Sequence, residues 1–402
     1  MSERTRGNVR VVVAPDKFKG SLTAAEAAER IAAGIRRARP GADVHTLPVA
    51  DGGEGTVLAA VAAGFEEVRV RVVGPTGEPV DASFARQGDT AVVEAAQASG
   101  LQLLPGGEKH PLTATSYGTG QLVARAVESG CRRIVLGLGG VACTDGGAGM
   151  AQALGVRLRD ADGLDLPPGG AALARLASLD PGPLASLLEG VEVVVASDVD
   201  NPLLGPRGAA AVYGPQKGAT PEDVPVLDAA LAHWADHVAQ LTGRDLRAAP
   251  GAGAAGGLGF GALALLGASL RPGIALLLDL LDFAGAVEGA ALVVTGEGCL
   301  DEQTLHGKAP AGVAEAAARA GARVAAVAGM LALSEERWRA AGFAEAVSLV
   351  ALAEETGLDS MRDAARLAEL AGERLARGLP PRGAGGNPGT PSGVQQSVET
   401  DR

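Results

Sequence analysis

Aromatic side chains are nearly absent from this chain of 402 residues: six Phe, two Tyr and two Trp make up 2% of it. With no stacking platform, and with 35 Lys and Arg against 47 Asp and Glu, it has no basic, ring-bearing surface of the kind that grips nucleic acid. Cysteine is as scarce. Cys131, Cys143 and Cys299 are too few and too scattered for a disulfide framework or a structural zinc site, which points to a reducing compartment. The opening MSERTRGN lacks the apolar core of a signal peptide, and the most apolar stretch, residues 262–281, is broken by Arg271, Pro272 and Asp279. The expectation is a cytoplasmic protein that spans no membrane. Common catalytic signatures are missing as well: there is no GxxxxGK(S/T) phosphate loop, no clear GxGxxG fingerprint and no GxSxG nucleophile elbow. His233 and His237 have the spacing of a zinc pair on a helix but lack a third ligand.

What the chain has in quantity is glycine, 59 residues, much of it where an apolar strand gives way to acids, lysines and hydroxyls. The β-branched run 9–13 reads as a buried parallel strand stopped by Pro15. Asp16, Lys17 and Lys19 follow, and Ser21 or Thr23 can cap the next helix. A lysine beside a helix N-terminus makes an anion site, although two solvated loop lysines would look the same. A second strand, 43–49, ends in Asp51, Gly52, Gly53, Glu54, Gly55 and Thr56, where glycines let backbone approach a ligand and the acids can hold a metal, accept a proton or bind a hydroxyl.

The grammar changes at about Val68. Alternating apolar and polar residues around the turn signals at 74–75, 77–79 and 88–89 predict antiparallel hairpins, so a second domain is expected to begin there. From Thr115 strand and helix alternate again. The loops on the way carry Ser116, Gly118 and Thr119, then Thr144, Asp145 and Gly146. Residues 158–183 read as an irregular connection. Strand 191–196 delivers Asp198 and Asn201, where a carboxylate can accept a substrate proton or ligate Mg2+, or merely close an Asx-turn before Pro202. Lys217 in GPQKG can reach a phosphate as a point charge. Gly256 and Gly257 belong to the most glycine-dense stretch, 251–261. Glu297, Asp301, Thr304 and Lys308 share one expected loop, 296–310, with options for Mg2+, hydroxyl and phosphate, or for plain solvation. The last units regain the βα character of the first two, which predicts a first domain interrupted by a second. The tail, 380–402, has no apolar face to bury and is expected to be disordered.

Read together and in order, VVVAPDKFKGSL, PVADGGEGT, TSYGTGQL, GLGGVACTDGGAGM, ASDVDNPL, GPQKGA, PGAGAAGGLG and TGEGCLDEQTLHGKAP resemble the type-1 glycerate kinase family. The resemblance runs from about Val9 to about Leu370. It implies an α/β fold in which a flavodoxin-like (Rossmann-like) domain, residues 1–68 and 284–379, is formed from both chain ends, with a mixed α/β domain, 69–283, inserted. It also implies ATP and Mg2+, with D-glycerate phosphorylated at the 2-hydroxyl to give 2-phosphoglycerate. Two departures stand out. Val141, Ala142, Cys143, Thr144 and Asp145 replace the family's usual Ser-Ala-Thr-Asn-Asp, and Lys17 replaces its usual Ser.

Phosphoryl transfer asks mainly for positioning and charge neutralisation. The expected roles are Asp198 as proton acceptor, Lys19 on the γ-phosphate or the substrate carboxylate, and Asp51 as a further catalytic acid. Glu297 and Asp301 are the expected metal ligands. Asp16, Ser21, Gly52, Gly53, Glu54, Ser116, Gly118, Thr119, Thr144, Asp145, Gly146, Asn201, Lys217, Gly256, Gly257, Thr304 and Lys308 are expected to bind substrate or nucleotide. The rival readings are a glycerate 3-kinase, a kinase of another short sugar acid, and a non-catalytic sensor of small hydroxy acids. No nucleic-acid or membrane partner is expected, and a homodimer is left open.

Overall fold

A computed structural model describes residues 9–379. The tail expected over 380–402 lies outside them. In chain order the described strands are β1 (Arg10–Pro15), β2 (Asp43–Thr46), β3 (Glu66–Val73), β4 (Pro79–Gln87), β5 (Thr90–Glu94), β6 (Arg133–Gly137), β7 (Arg157–Arg159), β8 (Ser178–Asp180), β9 (Glu192–Ala196), β10 (Ser269–Arg271), β11 (Leu292–Leu300), β12 (Arg323–Leu331) and β13 (Glu345–Ser348). Five form an all-parallel sheet in the order β13-β12-β11-β1-β2. Six form a mixed sheet in the order β10-β9-β6-β5-β4-β3, and β7 pairs with β8 in a small ribbon. Both ends of the described chain feed one sheet and its middle feeds the other. This is a two-domain α/β fold.

In the five-stranded sheet β1 lies between β11 and β2, so its valines are buried on both faces: Val12 packs in one core, Val11 and Val13 in the other. One face is covered by helices Ala24–Ala38 and Ala364–Arg377. These two helices pack closely because each offers the other a glycine. A Cβ on Gly34 would sit 1.9 Å from Glu369 O, and one on Gly372 2.1 Å from Ile31 O. Thr23 caps the first helix in a capping box with Glu26, and Ser21 instead turns its hydroxyl to Phe18 O, 3.1 Å away.

The hairpins expected after Val68 are present as the antiparallel pairs β3–β4 and β4–β5. One face of the six-stranded sheet buries Phe84, Ile134, Leu136, Val193 and Val195. The opposite face is covered by helices Thr56–Ala62 and Gly273–Leu280 beside Ala85, Val92, Val135, Val194 and Ala196. Towards the β3 edge that cover ends, and Glu67, Arg69, Arg71, Asp81 and Ser83 line an open groove, which accounts for the polar half of the alternation.

Two strand expectations change. Strand β2 ends at Thr46 rather than Val49, although the Leu47 and Val49 amides still donate to Val13 O and Pro15 O. Strand β11 runs on through Glu297 and Cys299, which were expected in a loop, because β12 continues beside it with Cys299 opposite Met330. The glycines that suggested a loop are there for clearance: a Cβ on Gly296 would meet Val327 O at 2.0 Å. The connection expected to be irregular over 158–183 holds the β7–β8 ribbon.

The two sheets meet at a seam made of glycine. The Asp51–Gly53 turn lies against the carboxyl ends of β6 and β9: a Cβ on Gly137 would be 2.4 Å from Gly52 O, one on Gly139 2.7 Å from Gly53 Cα, and one on Gly273 2.0 Å from Asp51 O. Helix Gly273–Leu280 serves both sides, with Leu276 in the core of the six-stranded sheet and Ile274 and Leu277 in that of the five-stranded one. Among the described residues no helix is long and apolar enough to cross a membrane.

Candidate active site

At this seam a cleft of about 340 Å³ opens over the carboxyl ends of the six-stranded sheet, where α/β folds usually bind ligands. Asp51, Gly52 and Gly53 form one wall. Leu101, Leu138 to Val141, Ala196 to Val199, and Tyr213, Gln216 and Lys217 with Ala254 and Ala255 form the rest. Of the residues singled out in the sequence, the cleft thus gathers Asp51, Gly52, Gly53, Asp198 and Lys217.

Asp198 leaves the end of β9 and faces the open cleft, its Oδ1 accepting from Gly273 N at 2.9 Å. Desolvation by the cleft walls pushes its carboxyl up to about 6; the Gly273 amide opposes this and the Asp51 carboxylate adds to it. A carboxylate so tuned is a usable base near neutral pH. Lys217 is 2% exposed and donates to Cys143 O at 2.5 Å. Burial pulls its ammonium below the ordinary lysine value. Ala255, in the same wall, has φ 55° and begins a run of three left-handed residues with Gly256 and Gly257, backbone that costs energy for a residue with a Cβ.

The edge of the five-stranded sheet carries a second group. Asp16 is buried and pushed up to about 6 by that burial, against Lys17 and with Asp51 adding. Glu297, also pushed up to about 6 by burial, accepts from Thr304 Oγ1 at 2.5 Å and is raised further by Asp16 and Asp301. Asp301 spends Oδ1 on the Gln303 and Thr304 amides and lies 3.9 Å from Lys308 Nζ. Lys19 is exposed, with its amide near Gly298. Lys17 Nζ donates to Glu54 O at 2.6 Å and so ties this edge to the Asp51 turn, while the Glu54 residue itself is exposed. Electrostatic coupling therefore runs in a row from Asp198 through Asp51 and Asp16 to Glu297. Among the described residues no cluster of three or more His, Cys, Asp or Glu is arranged to hold a metal. The Asp16–Glu297 pair, two buried carboxylates of which Asp16 raises Glu297, does fit an ion such as Mg2+ that takes one or two carboxylates and completes its shell from phosphate and water.

Other expected site residues lie behind the cleft, and their chemistry is spent on packing. The Asp145 carboxylate is buried and accepts from Ser116 N, Ser116 Oγ, Gly147 N and Gly149 N at 2.8–3.2 Å. Gly118 is glycine because a Cβ would meet Val73 O at 2.0 Å, and Thr119 shares a 2.9 Å hydrogen bond with Ser99. Gly146 O accepts from Trp234 Nε1, and Gly257 packs on Gly146 Cα. Asn201 donates to Arg207 O and accepts from Tyr213 OH at 2.7 Å, which steadies Tyr213 in the cleft wall. Thr144 Oγ1 is buried with no hydrogen-bond partner among the described residues, and a Cβ on Gly256 would meet the Lys217 ammonium at 2.6 Å and Thr144 Cα at 2.8 Å. His233 Nε2 donates to Leu176 O and the ring stacks edge-on with His237, the arrangement of packed rings and not of a metal pair.

Sequence reasoning missed Glu94. This carboxylate at the end of β5 is 1% exposed, accepts from Gly55 N at 3.1 Å and Val57 N at 3.3 Å, and is pushed up to about 7 by burial. It pins the turn that carries Asp51 to the six-stranded sheet. The available signal was a lone acid in the apolar run AVVEAA.

Comparison with known proteins agrees with this geometry. A sequence model described as the glycerate kinase family matches residues 11–379. Glycerate kinase of Bacillus subtilis (strain 168) is 52% identical over 312 residues, covering 77% of this chain and 82% of that protein. Glycerate 2-kinase of Escherichia coli (strain K12) is 45% identical, covering 80% and 86%. A crystal structure described as that of a candidate glycerate kinase 2 from Salmonella typhimurium LT2 superposes with a TM-score of 0.81 at 41% identity, over 92% of this chain and 98% of the other. With a family match across nearly all the described residues and relatives this similar over most of their length, the chain belongs to the glycerate kinase family.

Proposed function

We propose that this chain transfers the γ-phosphoryl group of ATP to the 2-hydroxyl of D-glycerate in the cytoplasm, giving 2-phosphoglycerate and ADP. The observation that carries the reading is Asp198: a carboxylate at the carboxyl end of β9, open to a cleft of small-molecule size, held by the Gly273 amide and pushed up to about 6. Asp198 accepts the proton of the attacking hydroxyl. Asp51, across the same cleft, orients the substrate hydroxyls and adds to the burial that raises Asp198. Lys19 and Lys17 meet the phosphates at the edge of the five-stranded sheet, with Lys308 beside them. Asp16 and Glu297 would hold Mg2+, with Asp301 directly after β11; when bound, the ion would neutralise charge on the phosphate oxygens. We propose in addition that residues 9–65 and 284–379 form the flavodoxin-like domain and 66–283 the inserted one, the expected boundary at 68 moving to the start of β3, with helices Thr56–Ala62 and Gly273–Leu280 at the seam.

The test is ADP release from ATP, Mg2+ and D-glycerate, with the product's phosphate position read by phosphorus NMR. Turnover to 2-phosphoglycerate is expected. A 3-phosphoglycerate product would move the attack to the other hydroxyl, and binding of glycerate without any turnover would replace the kinase reading with a sensor.

A further inference from the structure

Lys217 presents an electrostatic imbalance that the protein does not resolve. The residue is 2% exposed and its ammonium has three donors, yet among the described residues it meets one acceptor, Cys143 O. The acid that acts on it, Asp145, already accepts from four donors, two on Ser116 and the Gly147 and Gly149 amides, and among the described residues forms no ion pair with it. A buried cation left in this way is costly unless an anion completes it. Lys217 lines the cleft that also holds Asp198, so an anion arriving there satisfies the ammonium.

The size and charge of that anion follow from the surroundings. The cleft measures about 340 Å³, and its other walls are glycine and apolar residues with Asp51, Asp198, Ser197, Tyr213 and Gln216, so that among the described residues no second lysine or arginine lines it. A nucleoside triphosphate, with several negative charges, would be poorly matched by one cation among Asp51 and Asp198. A small monoanion is matched. We propose that Lys217 binds the carboxylate of the acceptor substrate and makes this enzyme select a hydroxy acid over the neutral polyol of the same length. The inference rests on the kinase reading above and names the anchor that fixes its substrate: with the carboxylate held at Lys217, the adjacent hydroxyl is the one presented to Asp198.

The experiment uses the full chain and Lys217→Met, which keeps the side chain's length and removes a buried charge, so the fold is expected to hold and the thermal midpoint not to fall. KM for D-glycerate is expected to rise roughly 10- to 150-fold, the loss of a hydrogen bond to a charged group, while KM for ATP changes less than about twofold. Glycerol is expected to be a poor substrate of the wild type and no poorer for the variant. An unchanged KM for glycerate, or a rise confined to KM for ATP, would overturn the assignment. The wild-type assay separates this from failure of the kinase reading. If wild type does not phosphorylate glycerate, calorimetric binding of glycerate, glycolate and lactate is measured instead. Binding lost in Lys217→Met upholds the carboxylate site, and binding that is absent or independent of Lys217 rejects it.

Discussion

At the edge of the five-stranded sheet Lys17, Lys19 and Lys308 stand in or near solvent among Asp16, Glu297 and Asp301, whereas at the edge of the six-stranded sheet one lysine, Lys217, is buried in the wall of the cleft. The first arrangement suits a polyanion that comes and goes: exposed ammonium groups cost little to keep hydrated and can follow a mobile phosphate chain. The second suits one small anion in one place. A buried lysine is expensive without its partner, so it contributes selectivity that surface charge does not. Between the two edges runs the Asp51 turn, fastened to one by Lys17 and to the other by Glu94.

Three substitutions break or sharpen this contrast. The largest effect is expected from Asp198→Asn, which keeps an acceptor for the Gly273 amide and loses the base: kcat should fall about 10²- to 10⁴-fold. In the wild type the base must be ionised, so kcat/KM should decline as pH falls through about 6. Near wild-type turnover in the variant would take Asp198 out of the mechanism.

Glu94 tests whether the two edges are locked together. Its carboxyl, ordinarily near 4.5, is raised to about 7, so it favours folding fully below about 4.5 and that contribution fades as pH rises through 7. Glu94→Gln retains an acceptor for Gly55 and Val57 without the charge. It should stabilise the fold on the order of 2 kcal/mol at pH 8 and change little at pH 4.5. Thermal midpoints at the two values decide this, and an equal shift at both would contradict the buried-charge account. The smallest effect is expected from Lys19→Met, roughly a tenfold rise in KM for ATP with KM for glycerate unmoved. A rise for glycerate instead would erase the division of labour between the edges.

Much of this was legible in the chain. Period-two alternation with turn signals located β3 to β5, and the valine run located β1. Asp51, Asp198 and Lys217 were each marked as polar residues released at the end of an apolar strand or within a glycine turn. What stayed hidden were cases where one composition serves two purposes. Asp145 with Ser116 reads like a ligand loop, but a carboxylate that closes backbone needs the same glycines and hydroxyls as one that binds substrate. Gly296 and Gly298 read like loop residues, although they are strand residues stripped of side chains so that β12 and the Lys19 backbone can approach. Burial of Glu94 depends on a contact across 37 residues, which no local window reveals.

The placement of β1 also sets an order of manufacture. Val11 to Val13 lie opposite Leu292 to Val294, and Ala14 O accepts from Thr295 Oγ1 across 281 residues of chain. At ribosomal speeds of about 5–20 residues per second, β1 waits roughly 15–55 s for that neighbour. All six strands of the other sheet lie between Glu66 and Arg271 and emerge within this interval. The first strand to leave the ribosome is therefore among the last to be enclosed, and until β11 arrives the run RVVVAP can pair only with β2 or with a stranger.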